Sequence, residues 1–317
     1  MDRRKFVVAA AALPFALRSG RALAGGWPLA LATADQEAHL VAVDLGTGRI
    51  ARRIRTSPDP RSIEAVGSSA VVAHWTTGVV TVLDAPTLSV RHVVHGIDEP
   101  RYAVPSRDGR YAFVTDSGRA EVATLDVERG RVVGRVHLGE WPRHLALDAT
   151  GSVLWVALGT ESRRLAVVDV RRPDSLRLAA RVTPPFLAHA VGFSPDRRHV
   201  WVTSGDRGAL AIYDARGRHL VAQLRADAAP QHVTFIGSTA YVTSGNSGTL
   251  RVHGLDGRVR HTASLPVGSF NVQNGWGRVL TASLASGSMC AFDGRGERVF
   301  RTRVASSSHD VCFVTAA

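Results

Sequence analysis

The chain has 317 residues, 45% of them hydrophobic, with 30 glycines and only 6% aromatics, so it can bury a large core in short strands joined by tight turns. Beyond the N-terminus no apolar run reaches the 18 or so residues of a membrane helix, which excludes a helical membrane protein for the body of the chain. The formal charge is +12, but Lys5 is the only lysine and the arginines are spread evenly, a pattern of solvated faces that argues against nucleic acid as a partner.

Residues 1–24 read as an export signal. A basic start, Asp2-Arg3-Arg4-Lys5-Phe6, precedes an apolar run from Val7 to Leu17, and Ala22 and Ala24 give a small-x-small cleavage pattern. The paired arginines, with Arg18 and Arg21 near the cleavage site, resemble a twin-arginine signal, which implies a periplasmic or extracellular protein exported already folded. No cysteine lies near the cleavage site, so a lipid anchor is not expected. Residues 25–317 then form one domain.

That domain is built from repeats. An Asp closes an alternating apolar segment at Asp44, Asp84, Asp126, Asp169, Asp214 and Asp293, and Gly254 holds the equivalent place in the sixth unit. The steps between them are 40, 42, 43, 45, 40 and 39 residues, giving seven units. Within each unit a strand begins after a Pro or Gly turn, as at Pro142–Leu147, and a polar hairpin follows, such as Asp148–Gly151. Next come a short apolar strand, such as Leu154–Ala157, and a Gly-rich turn. The Asp-closed strand and a fourth strand complete the unit. Four period-two strands per unit of about 40 residues, with no helical periodicity, predict an all-β, seven-bladed β-propeller with four antiparallel strands per blade. The first unit, Trp27–Thr56, supplies only strands two to four. The missing first strand lies at His309–Thr315, so the two ends of the chain are expected to close the ring in one shared blade.

Phe113-Val114-Thr115-Asp116 and Ala240-Tyr241-Val242-Thr243-Ser244-Gly245-Asn246 resemble the YVTN propeller repeat, as does Gly134–Gly139 running into Pro142. The resemblance covers essentially all of residues 25–317. It implies the fold but not one function, since similar rings include lactone hydrolases, cofactor-bearing dehydrogenase subunits, nucleic-acid binders and interaction platforms.

In such a ring the first strands surround a channel, and one face carries the fourth-to-first and second-to-third connections. One repeat position at the start of the first strand reads Ser62, Tyr102, His144, His189, His232, Asn271 and His309. Four histidines there exceed chance in a chain with 13. Two readings stand: His144, His189, His232 and His309 hold a transition metal through neutral nitrogens, or they bond the backbone of the same or the next blade. Beside them, Asp59-Pro60-Arg61, Glu99-Pro100-Arg101 and Glu140-Trp141-Pro142-Arg143 each place an acid before an arginine. Local ion pairing is the expected outcome; otherwise Arg61, Arg101 and Arg143 would clamp a carboxylate or phosphate. Trp75 and Trp141 lie on the same face, where they could stack on a flat ligand. The candidate ligand-binding set is therefore these two tryptophans and three arginines, with the four histidines and Asn271.

Cys290 and Cys312 are the only cysteines, and the alternatives of a disulfide and of two buried thiols stay open. Carboxylates near the mouth include Asp116, Glu161 and Asp206, but no spacing pairs two of them as acid and base, and no G-x-S-x-G, H-E-x-x-H or P-loop occurs. The leading expectation is an exported, non-enzymatic propeller that binds a small ligand, metal or protein at the channel mouth. The alternatives are a lactone or ester hydrolase using His144, His189 or His232 as base or metal ligand, with Arg101 or Arg143 steadying the anion, and an accessory protein of a periplasmic redox or cofactor pathway.

Overall fold

The computed structural model describes residues 27–159, 162–226 and 228–316. The export-signal segment and Glu161 lie outside them. Among the described residues there is no helix, and the strands form seven four-stranded antiparallel sheets arranged as the repeats require. No helix among them is long and apolar enough to cross a membrane.

Each blade is a meander, and its hydrophobic pattern follows from its place in the ring. A blade packs both faces against neighbours, so its two middle strands are buried almost throughout, as in Ser69–His74 and Val79–Asp84 of blade 2. The outermost strands, such as Ser89–Val94, are mostly exposed and carry arginine or other polar residues. In every blade the register shifts between the third and fourth strands, which twists this open edge away from further pairing.

The repeated Asp has a local cause. Asp44 Oδ1 accepts the backbone N–H of Thr47 at 2.6 Å, Asp126 Oδ1 that of Arg129 at 3.1 Å, and Asp293 Oδ1 that of Arg295 at 2.9 Å. The side chain thus organises the turn between the third and fourth strands. In the sixth unit Gly254 cannot do this, and Asp256 accepts Arg258 N–H at 3.1 Å instead. The Gly-rich turn before the third strand also has a steric reason. At Gly287, where φ is +61°, a Cβ would lie 1.9 Å from the carbonyl oxygen of Ala305 in the connection to the next blade.

Ring closure joins the two ends. The strand Val311–Ala316 pairs antiparallel with Trp27–Ala34, from Trp27 opposite Ala316 to Ala32 opposite Val311. It becomes the innermost strand of blade 1. Between blades, large second-strand residues fill the gaps: Trp155 sits 5.9 Å from Tyr213, and Trp201 sits 5.7 Å from Phe235 of the following blade. Cys290 and Cys312 are both buried and free, in different blades, with burial pushing the Cys290 thiol up to about 11.

Candidate functional site

The threonine of the Val-Thr pair that ends several second strands sets the aim of the channel residues. Thr115 Oγ1 donates to the carbonyl of Arg143 at 2.8 Å, and Thr203 Oγ1 donates to that of Gln231 at 2.5 Å. Thr243 Oγ1 donates to the carbonyl of Phe270. Each acceptor lies in the next blade, one residue before His144, His232 or Asn271 respectively. The motif that builds the blade therefore also fixes where the next blade's channel residue points.

Those residues converge. His144 and His232 ring centroids are 4.8 Å apart, and His189 and His232 are 5.1 Å apart, both edge to face. Tyr102 reaches across from blade 3, with its ring 5.0 Å from His144 and 6.3 Å from His309. Its hydroxyl donates to Asn271 Oδ1 at 3.3 Å and lies 3.4 Å from His232 Nε2. Six blades thus contribute to one layer across the axis, in which His232 is 3% exposed and Tyr102 7%.

Most of this repeat position fastens one blade to the next. Ser62 Oγ donates to Arg101 O at 2.5 Å, His189 Nδ1 to Gln231 O at 3.0 Å, and His309 Nδ1 to Arg61 O at 2.8 Å. His144 Nδ1 instead accepts the backbone N–H of Val191 at 3.4 Å, which places its proton on Nε2. Among the described residues no group of three or more His, Cys, Asp or Glu side chains could hold a metal ion. The donor set does not fit a resident transition metal, because the imidazoles meet edge to face and His144 turns a protonated nitrogen away from its backbone bond.

The layer is also uncharged. Burial, helped by the Arg143 charge, pushes His144 down to about 3. His189, His232 and His309 are held well below the ordinary imidazole range, first by burial and then by neighbouring imidazoles and arginines.

Above the layer stand the three arginines of blades 2, 3 and 4, and the expected local ion pairs do not form among the described residues. Asp59 accepts the backbone N–H of Thr76 at 2.9 Å, and Glu140 pairs with Arg164 at 2.9 Å and Arg181 at 3.5 Å. Glu99 exerts the weakest of the named charge effects on Arg101. Arg61 does find a carboxylate, that of Asp35 at 3.4 Å.

The Arg101 guanidinium lies between two indoles, 3.9 Å from the ring centre of Trp75 and 4.3 Å from that of Trp141. Arg61 sits 5.6 Å from Trp75. Burial first, and then the charge of Arg143, lower Arg101 to about 10, so it stays protonated at neutral pH. Nη1 of Arg101 and Nε of Arg143 are buried and have no hydrogen-bond partner among the described residues. By contrast, the cleft around Asp126 and Pro173 on the opposite face contains Arg129, which pairs with Asp126 at 3.5 Å.

The structure therefore brings together Arg61, Arg101, Arg143, Trp75 and Trp141 at the mouth, and His144, His189, His232, His309 and Asn271 beneath them. Asp116 is committed to backbone, accepting the N–H groups of Asp98 and Glu99 at 2.9 and 3.0 Å, while Asp206 sits beside Arg207 at 3.9 Å.

Sequence reasoning missed three carboxyls. Asp310 accepts the N–H of Ile63 at 3.1 Å and of Val311 at 2.8 Å, tying blade 1 to blade 2. Glu64 faces it and accepts Gln273 Nε2 at 3.0 Å. Asp35 accepts Thr33 Oγ1 at 2.9 Å and the N–H of His309 at 3.2 Å. A signal for Asp310 was present: its repeat position is otherwise Ile63, Ala103, Leu145, Ala190, Val233 and Val272. An acid in an apolar column marks a special environment.

Burial raises Glu64 to about 7, so folding favours its protonated form. Stability from this group is complete below about pH 4.5 and is lost as pH rises through about 7. Glu64→Gln keeps the contact to Gln273 without the titration. Its unfolding free energy at pH 8 is expected to exceed that of the parent by about 2 kcal/mol, with no difference at pH 4, in denaturant titrations at both values. Equal stability of the two proteins at pH 8 would remove the assignment.

No family model matches the chain, and no curated protein matches it either. Among solved structures it is similar to a protein of unknown function from Desulfotomaculum acetoxidans, with a TM-score of 0.77 at 11% identity, covering 91% of this chain and 99% of that one. It is also similar to hydrazine synthase of Kuenenia stuttgartiensis, with a TM-score of 0.65 at 16% identity, covering 80% of this chain and 89% of that one. At these identities the likeness concerns the fold alone.

Proposed function

We propose that this chain is an exported, non-enzymatic β-propeller of the YVTN type that binds a small ligand on its channel-mouth face. One observation carries the reading: on that face two buried arginine N–H donors lack partners among the described residues, while the neighbouring acids bond elsewhere. Native proteins leave few such groups, and a missing ligand is one explanation for those at a channel mouth. The layer beneath is neutral and bonded blade to blade, which suits a rigid floor better than a proton-transferring site.

The test is to express the full chain in a bacterial host and recover it from the periplasmic fraction. The mass of the product reports cleavage after Ala24. Thermal-shift screening of that protein against lactones, sugars, tetrapyrroles and organic acids then identifies ligands, and amide hydrogen exchange locates them. Protection is expected at residues 57–61, 75–78, 95–101 and 139–143. A full-length product confined to the cytoplasm would overturn the export reading, and ligands that protect only the outer strands or the opposite face would overturn the binding face.

A further inference from the structure

We infer that the mouth carries an oxyanion seat centred on Arg101, which takes the carboxylate or phosphate group of a small ligand. The inference rests on the channel-mouth reading above and names the chemistry that face would recognise.

The seat is eccentric. Arg61, Arg101 and Arg143 start the innermost strands of blades 2, 3 and 4, so they converge on one side of the channel. Arg101 feels the other two, since after burial the charges of Arg143 and Arg61 lower its basicity. Among the described residues only Arg61 has a carboxylate within ion-pair distance, and burial raises that group, Asp35, to about 6 despite the arginine beside it. Beneath the three arginines, burial holds His232 well below the ordinary imidazole range and Asp310 well above the ordinary carboxyl range, which disfavours the charged form of each.

With its central carbon over the Trp75 and Trp141 rings, at 3.9 and 4.3 Å from their centres, the Arg101 guanidinium is held at the mouth with Nη1 unpartnered among the described residues. In-plane approach to a guanidinium edge is the geometry in which carboxylate and phosphate accept two parallel N–H bonds. Arg143 Nε supplies a further donor. The same contacts occupy the indole faces turned to Arg101 and leave only the opposite faces for a flat ligand. A buried charge with an unmade hydrogen bond is costly in the free protein, and an oxyanion is the group that recovers most of that cost.

The experiment uses the exported mature protein in a low-salt Tris–chloride buffer. Inorganic phosphate, succinate and its uncharged counterpart succinamide are titrated by calorimetry, with indole fluorescence as a second readout. Saturable binding of phosphate or succinate is expected, with none for succinamide. Arg101→Met should weaken binding at least about tenfold, Arg101→Lys should fall between, and Arg258→Met, on the opposite face, should change nothing. Because Arg101→Met also relieves an unpaired buried charge, its melting temperature without ligand should be unchanged or higher, whereas a structural arginine would lower it. Should Arg101→Met fail to fold, Arg143→Met and Arg101→Lys carry the same comparison. The inference falls if neither anion saturates below about 10 mM, or if both bind the variants as tightly as the parent. Binding of succinamide with protection at the same loops would remove the oxyanion and keep the binding face; protection nowhere on that face, by any ligand of the screen, would remove both.

Discussion

A chain ending at Ser308 should give no folded monomer. The missing segment is the innermost strand of blade 1, paired over six positions with Trp27–Ala32. Its loss exposes both sides of that blade at once, because Cys312 and Val314 belong to the core shared with blade 2, and Val311 belongs to the core shared with blade 7. It also removes His309 and Asp310, which hold the Arg61 carbonyl and the Ile63 N–H of blade 2. Three buried apolar side chains at about 2 kcal/mol each and several ladder bonds at about 1 kcal/mol each amount to roughly 10 kcal/mol, comparable with the whole stability of a typical domain. Circular dichroism and gel filtration of the truncated chain check this. A synthetic peptide covering residues 307–317 should restore cooperative melting when added in trans. A truncated chain that melts cooperatively near the parental temperature would show that the ring does not depend on this strand.

Acidification is expected to unfold the protein steeply from about pH 6.5 downward. Burial lowers His144, His189, His232, His309 and His74 below the ordinary imidazole value of 6.5. A base with a lowered folded-state pKa gives stability that is complete above its unfolded value and is lost as pH falls toward the folded one, since only the unfolded chain takes up the proton. For His144 the loss continues to about pH 3. Each such histidine costs about 1.4 kcal/mol per pH unit in this window. Glu64, Asp35 and Asp310 oppose this, because burial raises all three and the folded state binds protons there more readily than the unfolded chain. Five histidines against three carboxyls leave about two protons, or roughly 2.7 kcal/mol per pH unit. Urea titrations between pH 7 and 5 measure the slope. His232→Gln should reduce it by about half, and Glu64→Gln should steepen it by a similar amount. A slope that neither substitution changes would place the acid response elsewhere.

The floor of the mouth shows how far local sequence reaches. The repeated histidine was legible because seven units share one ancestral spacing, and the convergence of His144, His189 and His232 follows from that spacing once the ring closes. The tautomers were not legible. Whether Nδ1 donates to a carbonyl, as in His189, or accepts an N–H, as in His144, depends on which backbone group of the next blade faces it. The acid-Pro-Arg motifs show the opposite failure: proximity in sequence suggested ion pairs, yet Asp59 is taken up by the Thr76 backbone and Glu140 by Arg164 and Arg181.

By itself the sequence determined the architecture, because strand period, turn residues and a near-constant repeat length are local properties that each unit states independently. It also determined how the ring closes, since a first unit lacking one strand and a tail supplying it admit one pairing. Only the tertiary structure decided what the mouth is. The Trp75–Arg101–Trp141 stack, the carboxylate given to Arg61, and the unpartnered N–H groups of Arg101 and Arg143 arise between blades about 40 residues apart. Charge compensation and desolvation depend on distances across the ring, and no window along the chain contains them.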